Sequence, residues 1–219
     1  MFKTGPLFAA NYAATHQVVV NQGGTSSGKT YTILQVLFAK LAGGPGNEVA
    51  TVVGQDIPNL KAGALRDALE IYNNSEQLRS LIASYNKSDR IFTFNNGSIL
   101  EFKSYEDAQD AKSGKRDYSF FNEANGIAYA IFKEIYLRTR IRCFIDYNPN
   151  AEFWVHEQLI GKPNVLFLRS WHLHNPFLPQ QMRDAIEALR NEDEELWRVY
   201  ARGLTGKIEG LVLRNWERC

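Results

Sequence analysis

A chain of 219 residues, 44% of them hydrophobic and 22% charged, can bury a full core as one large domain or one domain with an appendage. The net charge of +1 sets up no global basic field, so any nucleic-acid contact has to come from a local patch. No apolar run is long enough to cross a bilayer and no secretory signal opens the chain; the two cysteines, Cys143 and Cys219, read as reduced thiols of a cytosolic protein.

Residues 1–16 interleave Phe2, Phe8, Tyr12 and His16 with small residues. An arm just upstream of a phosphate loop often closes over a nucleobase. Tyr12 or Phe8 would then stack on the base, and Gln17 or Asn11 would read its edge. Packing of the arm into the core accounts for the same residues equally well.

Val18-Val19-Val20 reads as a short buried strand. Gly23, Gly24, Thr25, Ser26, Ser27, Gly28, Lys29 and Thr30 follow and fit the G-x-x-x-x-G-K-[ST] phosphate loop. Ile33, Leu34, Leu37 and Leu41 then recur at helical spacing until Gly43-Gly44-Pro45-Gly46 stops the run. Glycines let backbone N–H groups curl round a polyphosphate, and the helix beginning at Gly28 aims its positive dipole end at the same anion. Lys29 can reach the β- and γ-phosphates, and the Thr30 hydroxyl can ligate Mg²⁺. A bound nucleoside triphosphate with Mg²⁺ is expected.

Residues 48–54 (EVATVVG) predict a second buried strand, and Pro58 opens an amphipathic helix carrying Leu60, Ala64, Leu65, Ala68, Leu69 and Tyr72 on one side. Residues 75–84 predict a shorter helix with Ser75 as its N-cap. Alternating residues 90–94 and 98–102 flank Asn95-Asn96-Gly97, a hairpin signal. Strands are expected at 118–121, 141–145 and 164–169, with a helix over 127–137 and one long helix over 178–202. Met182, Ile186, Leu189, Leu196 and Tyr200 mark the inner side of that last helix, and the four carboxylates at 192–195 read as a solvated face.

Hydrolysis needs a group that positions water. In α/β nucleotide-binding folds, a buried strand delivers it to the carboxyl edge of the sheet, beside the phosphate loop. YSFF at 118–121 runs straight into Asn122-Glu123 and fits that role. Glu123 is the expected general base, and Asn122 stands where an Asp normally supports the metal's water shell. A helix cap is the competing reading of Glu123. Asp146-Tyr147-Asn148-Pro149 ends the next strand, where Asn148 could sense the γ-phosphate or serve as part of a rigid turn. Arg116, ahead of Lys115 and Lys112, is the first choice for the cation that phosphoryl transfer needs.

NQGGTSSGKTYTILQ, KRDYSFFNEANGI, FIDYNPNAEFWVHE and LWRVYARGLTGKIEGLVLRNW resemble, in this order, stretches of the ATPase domain of tailed-bacteriophage terminase large subunits, the motors that pack viral DNA into proheads. The resemblance implies an α/β P-loop NTPase of the additional-strand, catalytic-glutamate type, with a mostly parallel central sheet flanked by helices, the phosphate-loop strand at its centre and an inserted β-hairpin. Residues 23–30 become the Walker A loop, Asn122-Glu123 the Walker B end and residues 146–149 the coupling motif. Double-stranded DNA, a portal protein, a small terminase subunit and a homo-oligomeric ring are the implied partners, in the cytoplasm of an infected bacterial host. Asn122 departs from the general Asp-Glu pattern, and Ser26 stands where many members carry an arginine. Both leave open which group supplies positive charge to the phosphates. Full-length members continue into an RNase H-like nuclease with clustered aspartates. Nothing after Trp216 supplies that cluster, so residues 1–202 read as the ATPase domain and 203–219 as a linker, with no DNA cleavage expected. A nucleotide kinase and a nucleotide-gated binding module are the two alternatives.

Overall fold

The computed structural model describes residues 3–206. In chain order its strands are β1 (Val18–Gly23), β2 (Val49–Gly54), β3 (Ile82–Asn86), β4 (Ile91–Phe94), β5 (Ile99–Ser104), β6 (Arg116–Phe121), β7 (Thr139–Tyr147) and β8 (Val165–Ser170). They form one sheet in the order β3-β4-β5-β2-β6-β7-β1-β8. From β5 to β8 all neighbours run parallel, while β3, β4 and β5 pair antiparallel. The expected hairpin is present as β4–β5, turned through Gly97 at φ 84°, a left-handed conformation that glycine adopts without strain. Instead of lying at the centre of the sheet, β1 stands one strand in from the edge, with only β8 outside it.

A parallel strand covered on both faces is apolar throughout, and β1 is buried over all six residues. Its side chains alternate between two cores. Val19 joins Ile33 and Leu37 of α2 (Lys29–Gly43) on one face. Val18 and Val20 join Ile131 and Phe132 of α6 (Tyr129–Tyr136) and Val155 of α7 (Trp154–Gln158) on the other. An N-terminal helix, α1 (Pro6–Ala13), also packs on α2. No helix among the described residues is long and apolar enough to cross a membrane.

Several elements differ from their expected bounds. The helix opened by Pro58 is two, α3 (Ile57–Ala62), capped by the Asp56 carboxylate accepting from Asn59 N at 2.7 Å, and α4 (Ala64–Asn73), separated at Gly63. Ser75 does cap α5 (Glu76–Leu81), accepting from Leu78 N at 3.2 Å, but the helix stops at Leu81. Ile82 enters β3 because its side chain is buried opposite Phe94, so sheet pairing overrides local helix preference. The expected helix over 178–202 is also two, α8 (Gln180–Glu192) and α9 (Glu194–Arg202). Asp193 is extended between them and accepts from Leu196 N at 3.0 Å, so one of the four carboxylates is a cap and not part of a continuous solvated face. The break rotates the predicted stripe: Ile186 and Val199 are buried, whereas Met182 and Leu196 are exposed. Of the expected linker, residues 203–206 are described; Trp216 and Cys219 lie outside the described residues.

Candidate active site

The carboxyl end of β1 turns into the phosphate loop, where Ser26 at φ 58° and Gly28 at φ 79° place two left-handed residues before α2. The first two glycines serve packing. A Cβ on Gly23 would overlap Ser170 Oγ at the end of β8, and one on Gly24 would overlap the Tyr200 carbonyl oxygen at the end of α9. The Gly24 amide donates to Ser170 O at 3.1 Å, so the protein itself uses this N–H instead of leaving it for a phosphate. Asn175 Nδ2 anchors the crown of the loop through Ser26 O at 3.0 Å. Ser27 Oγ is buried without a hydrogen-bond partner among the described residues.

Lys29 is buried, and its ammonium donates to Asn148 Oδ1 at 2.7 Å and to Gly24 O at 3.3 Å. Asp146, wholly buried, sits opposite Asn21 in the β1–β7 register and faces the same crevice. Its carboxylate accepts from the Thr30 hydroxyl, from Asn122 Nδ2 at 3.1 Å and from the Glu123 amide at 2.8 Å. Burial lowers the pKa of Lys29, against the nearby charges of Asp146 and Glu123, and raises that of Asp146, against Lys29 and its three donors. Each of these two groups is therefore short of counter-charge. A polyphosphate with a divalent cation supplies both kinds, so the residues present fit ATP and Mg²⁺. Among the described residues no three His, Cys, Asp or Glu side chains gather as a metal cage.

Glu123 is exposed, and its backbone is left-handed at φ 53°, an unusual state for a residue with a Cβ that is held here by the hydrogen bond its amide donates to Asp146. It makes no side-chain cap to the turn that follows, which removes the capping reading. Asn122 enters the same crevice, where its amide nitrogen donates to Asp146, the buried carboxylate of the site. The expected turn at 146–149 begins later than predicted, since β7 continues through Tyr147.

Other expected groups lie elsewhere. Arg116 opens β6, at the opposite end from Glu123; it is buried, with Nη2 donating to Ser113 O at 2.8 Å and Gly114 O at 3.1 Å. Tyr12 stacks on Phe8 at 5.5 Å, with Lys40 Nζ 4.3 Å from its ring centroid near the far end of α2. Gln17 precedes β1 and accepts from Tyr136 Oη at 2.7 Å. A six-residue strand spans about 20 Å, so residues at its start cannot touch a ligand at its end. Asn11 is likewise engaged, exchanging reciprocal side-chain hydrogen bonds of 2.9 and 2.8 Å with Asn21. The cavity that does adjoin Ser27 and Gly28 holds about 500 Å³ and is lined by Lys3, Leu7, Tyr31, Glu70, His174 and Phe177 among others. The N-terminal arm thus lines this cavity through Lys3 and Leu7.

Asp67 on α4 feels the same crevice. Burial, helped by the charges of Glu70 and Asp146 and opposed by Arg66, raises its pKa from 3.8 to about 6. A carboxyl raised on folding contributes stability below its unfolded pKa that is lost as pH climbs through the folded one. Asp67→Asn does not titrate. In the absence of nucleotide it is expected to melt a few degrees above wild type at pH 7.5, with the gain gone at pH 3.8. Paired thermal melts at the two pH values check this.

The sequence profile of the phage terminase large subunit family matches residues 15–204. None of the curated proteins matches the chain in sequence. Among solved structures, the large terminase of a thermophilic bacteriophage is similar with a TM-score of 0.77 at 13% identity, over 93% of this chain and 54% of that one. The chain thus spans about half the length of that terminase. The Thermus phage P74-26 large terminase ATPase domain has a TM-score of 0.71 at 13% identity, over 92% of this chain and 94% of that one. The HK97 bacteriophage large terminase has 0.69 at 14% identity, over 93% and 51%. At these identities the matches show the P-loop NTPase fold.

Proposed function

We propose a function from one premise: the chain belongs to the phage terminase large subunit family. On that premise the carboxyl-edge site hydrolyses ATP, and hydrolysis drives double-stranded viral DNA into a prohead. The supporting observation is the Asp146 carboxylate, which gathers Thr30 of the phosphate loop and Asn122-Glu123, just beyond the end of β6, into one crevice. The same thermophilic phage's large terminase has been solved with ADP, and in that complex its fold matches this chain with a TM-score of 0.76.

The triphosphate lies along the loop with its nucleoside in the cavity beside Tyr31, and Lys29 exchanges Asn148 for the β- and γ-phosphates. Thr30 and Asp146 are the groups that would hold Mg²⁺, which offsets phosphate charge when bound. Glu123 takes a proton from water as its oxygen bonds to the γ-phosphorus and the bond to the ADP oxygen breaks. Asn148, released by Lys29, reports that a triphosphate is present. Arg116 lies at the other edge of the sheet and does not complete this site; family membership implies that a basic residue of a neighbouring copy does. A ring of copies, a portal protein and a small terminase subunit are the partners this reading brings, in the cytoplasm of the infected host.

Phosphate release measured with and without duplex DNA tests the assignment. Release that rises with DNA supports it; transfer to a nucleoside monophosphate would make the protein a kinase, and binding without turnover a switch. Lys29→Ala is expected to weaken nucleotide binding about 10- to 100-fold, the value of a charge-assisted hydrogen bond, measured by titration with a fluorescent ATP analogue.

A further inference from the structure

Gln22 is the last residue before the phosphate-loop glycines, and its side chain is buried. Its Oε1 accepts from Tyr147 Oη at 2.8 Å and lies 3.3 Å from His156 Nε2. The Phe153 amide donates to His156 Nδ1 at 3.2 Å, so in the neutral imidazole the proton is on Nε2, directed at this cluster. With Oε1 held by these donors, the Gln22 amide has one orientation, and its Nε2 donates to Gly203 O at 2.8 Å. Gly203 is the left-handed cap of α9, and a Cβ there would stand 3.0 Å from Gly24 N. Three residues on, Gly206 N donates to Pro149 O at 2.8 Å. The segment leaving α9 is therefore tied at one point to the strand that carries the phosphate loop and at another to the turn that carries Asn148.

We infer that Gln22 is a positioning residue that transmits the nucleotide state of the phosphate loop to residues 203–206, through the Tyr147–His156 cluster on one side and the Gly203 carbonyl on the other. The inference rests on the ATP-site reading above. Nucleotide draws Lys29 away from Asn148, Asn148 adjoins Pro149, and Pro149 holds Gly206; Gln22 keeps the α9 cap in register with the loop while this happens. Packing alone would need none of these polar groups, since β1 is already sealed by apolar neighbours on both faces.

The experiment is amide hydrogen exchange with and without a non-hydrolysable ATP analogue, run on wild type, Gln22→Met and Tyr147→Phe. Wild type is expected to slow exchange at 203–206 about tenfold or more when the analogue binds. Gln22→Met, close to isosteric, should bind the analogue within about threefold of wild type and protect the phosphate loop, yet lose the response at 203–206. Tyr147→Phe removes a single hydroxyl and should weaken that response; it serves if Gln22→Met does not fold. A merely structural Gln22 would lower protection equally with and without analogue and leave the response intact, which overturns the proposal. Wild type that binds the analogue without any change at 203–206 overturns it while sparing the ATP-site reading. Failure of wild type to bind overturns both.

Discussion

Glu123→Gln is expected to bind ATP as wild type does and to turn it over about 10²- to 10⁴-fold more slowly, the usual contribution of a positioned base. The substitution is close to isosteric. It keeps the backbone amide that donates to Asp146 and the same left-handed conformation, so fold and loop are untouched. Only the ability to take a proton goes. Single-turnover phosphate release beside analogue binding separates the two steps. Full turnover in this variant would remove Glu123 from the chemistry.

Asp146→Asn should show the opposite signs in stability and activity. A buried carboxylate whose pKa is raised by burial is held charged against the preference of its surroundings, so a neutral amide relieves that cost. The Asn oxygen can still accept from the Glu123 amide and Asn122. The variant is therefore expected to melt at or above the wild-type temperature at pH 7.5. Turnover should fall about 10- to 100-fold, with a higher Mg²⁺ requirement, since the one charge facing Thr30 is gone. Thermal melts and a Mg²⁺ titration of phosphate release decide it; a wild-type Mg²⁺ dependence would mean that Asp146 only braces Glu123.

What could be read from the chain was whatever is covalently local. Gly23 to Thr30 announces itself because loop and helix start are contiguous, and YSFF before Asn122-Glu123 marks a strand that ends on a carboxylate. Asp146 was visible in the same way, yet its task depends on the β1–β7 register, Asn21 opposite Asp146, and no local pattern encodes a register between strands over a hundred residues apart. Arg116, Tyr12 and Gln17 were misplaced for one shared reason. Nearness in sequence to a site strand says nothing about which end of that strand a residue occupies. Gly24 shows a subtler limit: it falls at a free position of the loop pattern, and the group that excludes a Cβ there is Tyr200, from the other end of the domain. The break at Asp193 did have a local signal, an acidic cap before Glu194-Glu195, masked by apolar periodicity that runs through it in phase.

The position of β1 in the sheet also bears on biosynthesis. Its two neighbours, β7 and β8, are both made late, and 116 residues separate Thr30 from Asp146. At about 5–20 residues per second, a ribosome needs roughly 6–23 s to bridge that gap. For that interval a valine-rich segment waits with both hydrogen-bonding edges unpaired, a state that invites chaperone capture or association between nascent chains.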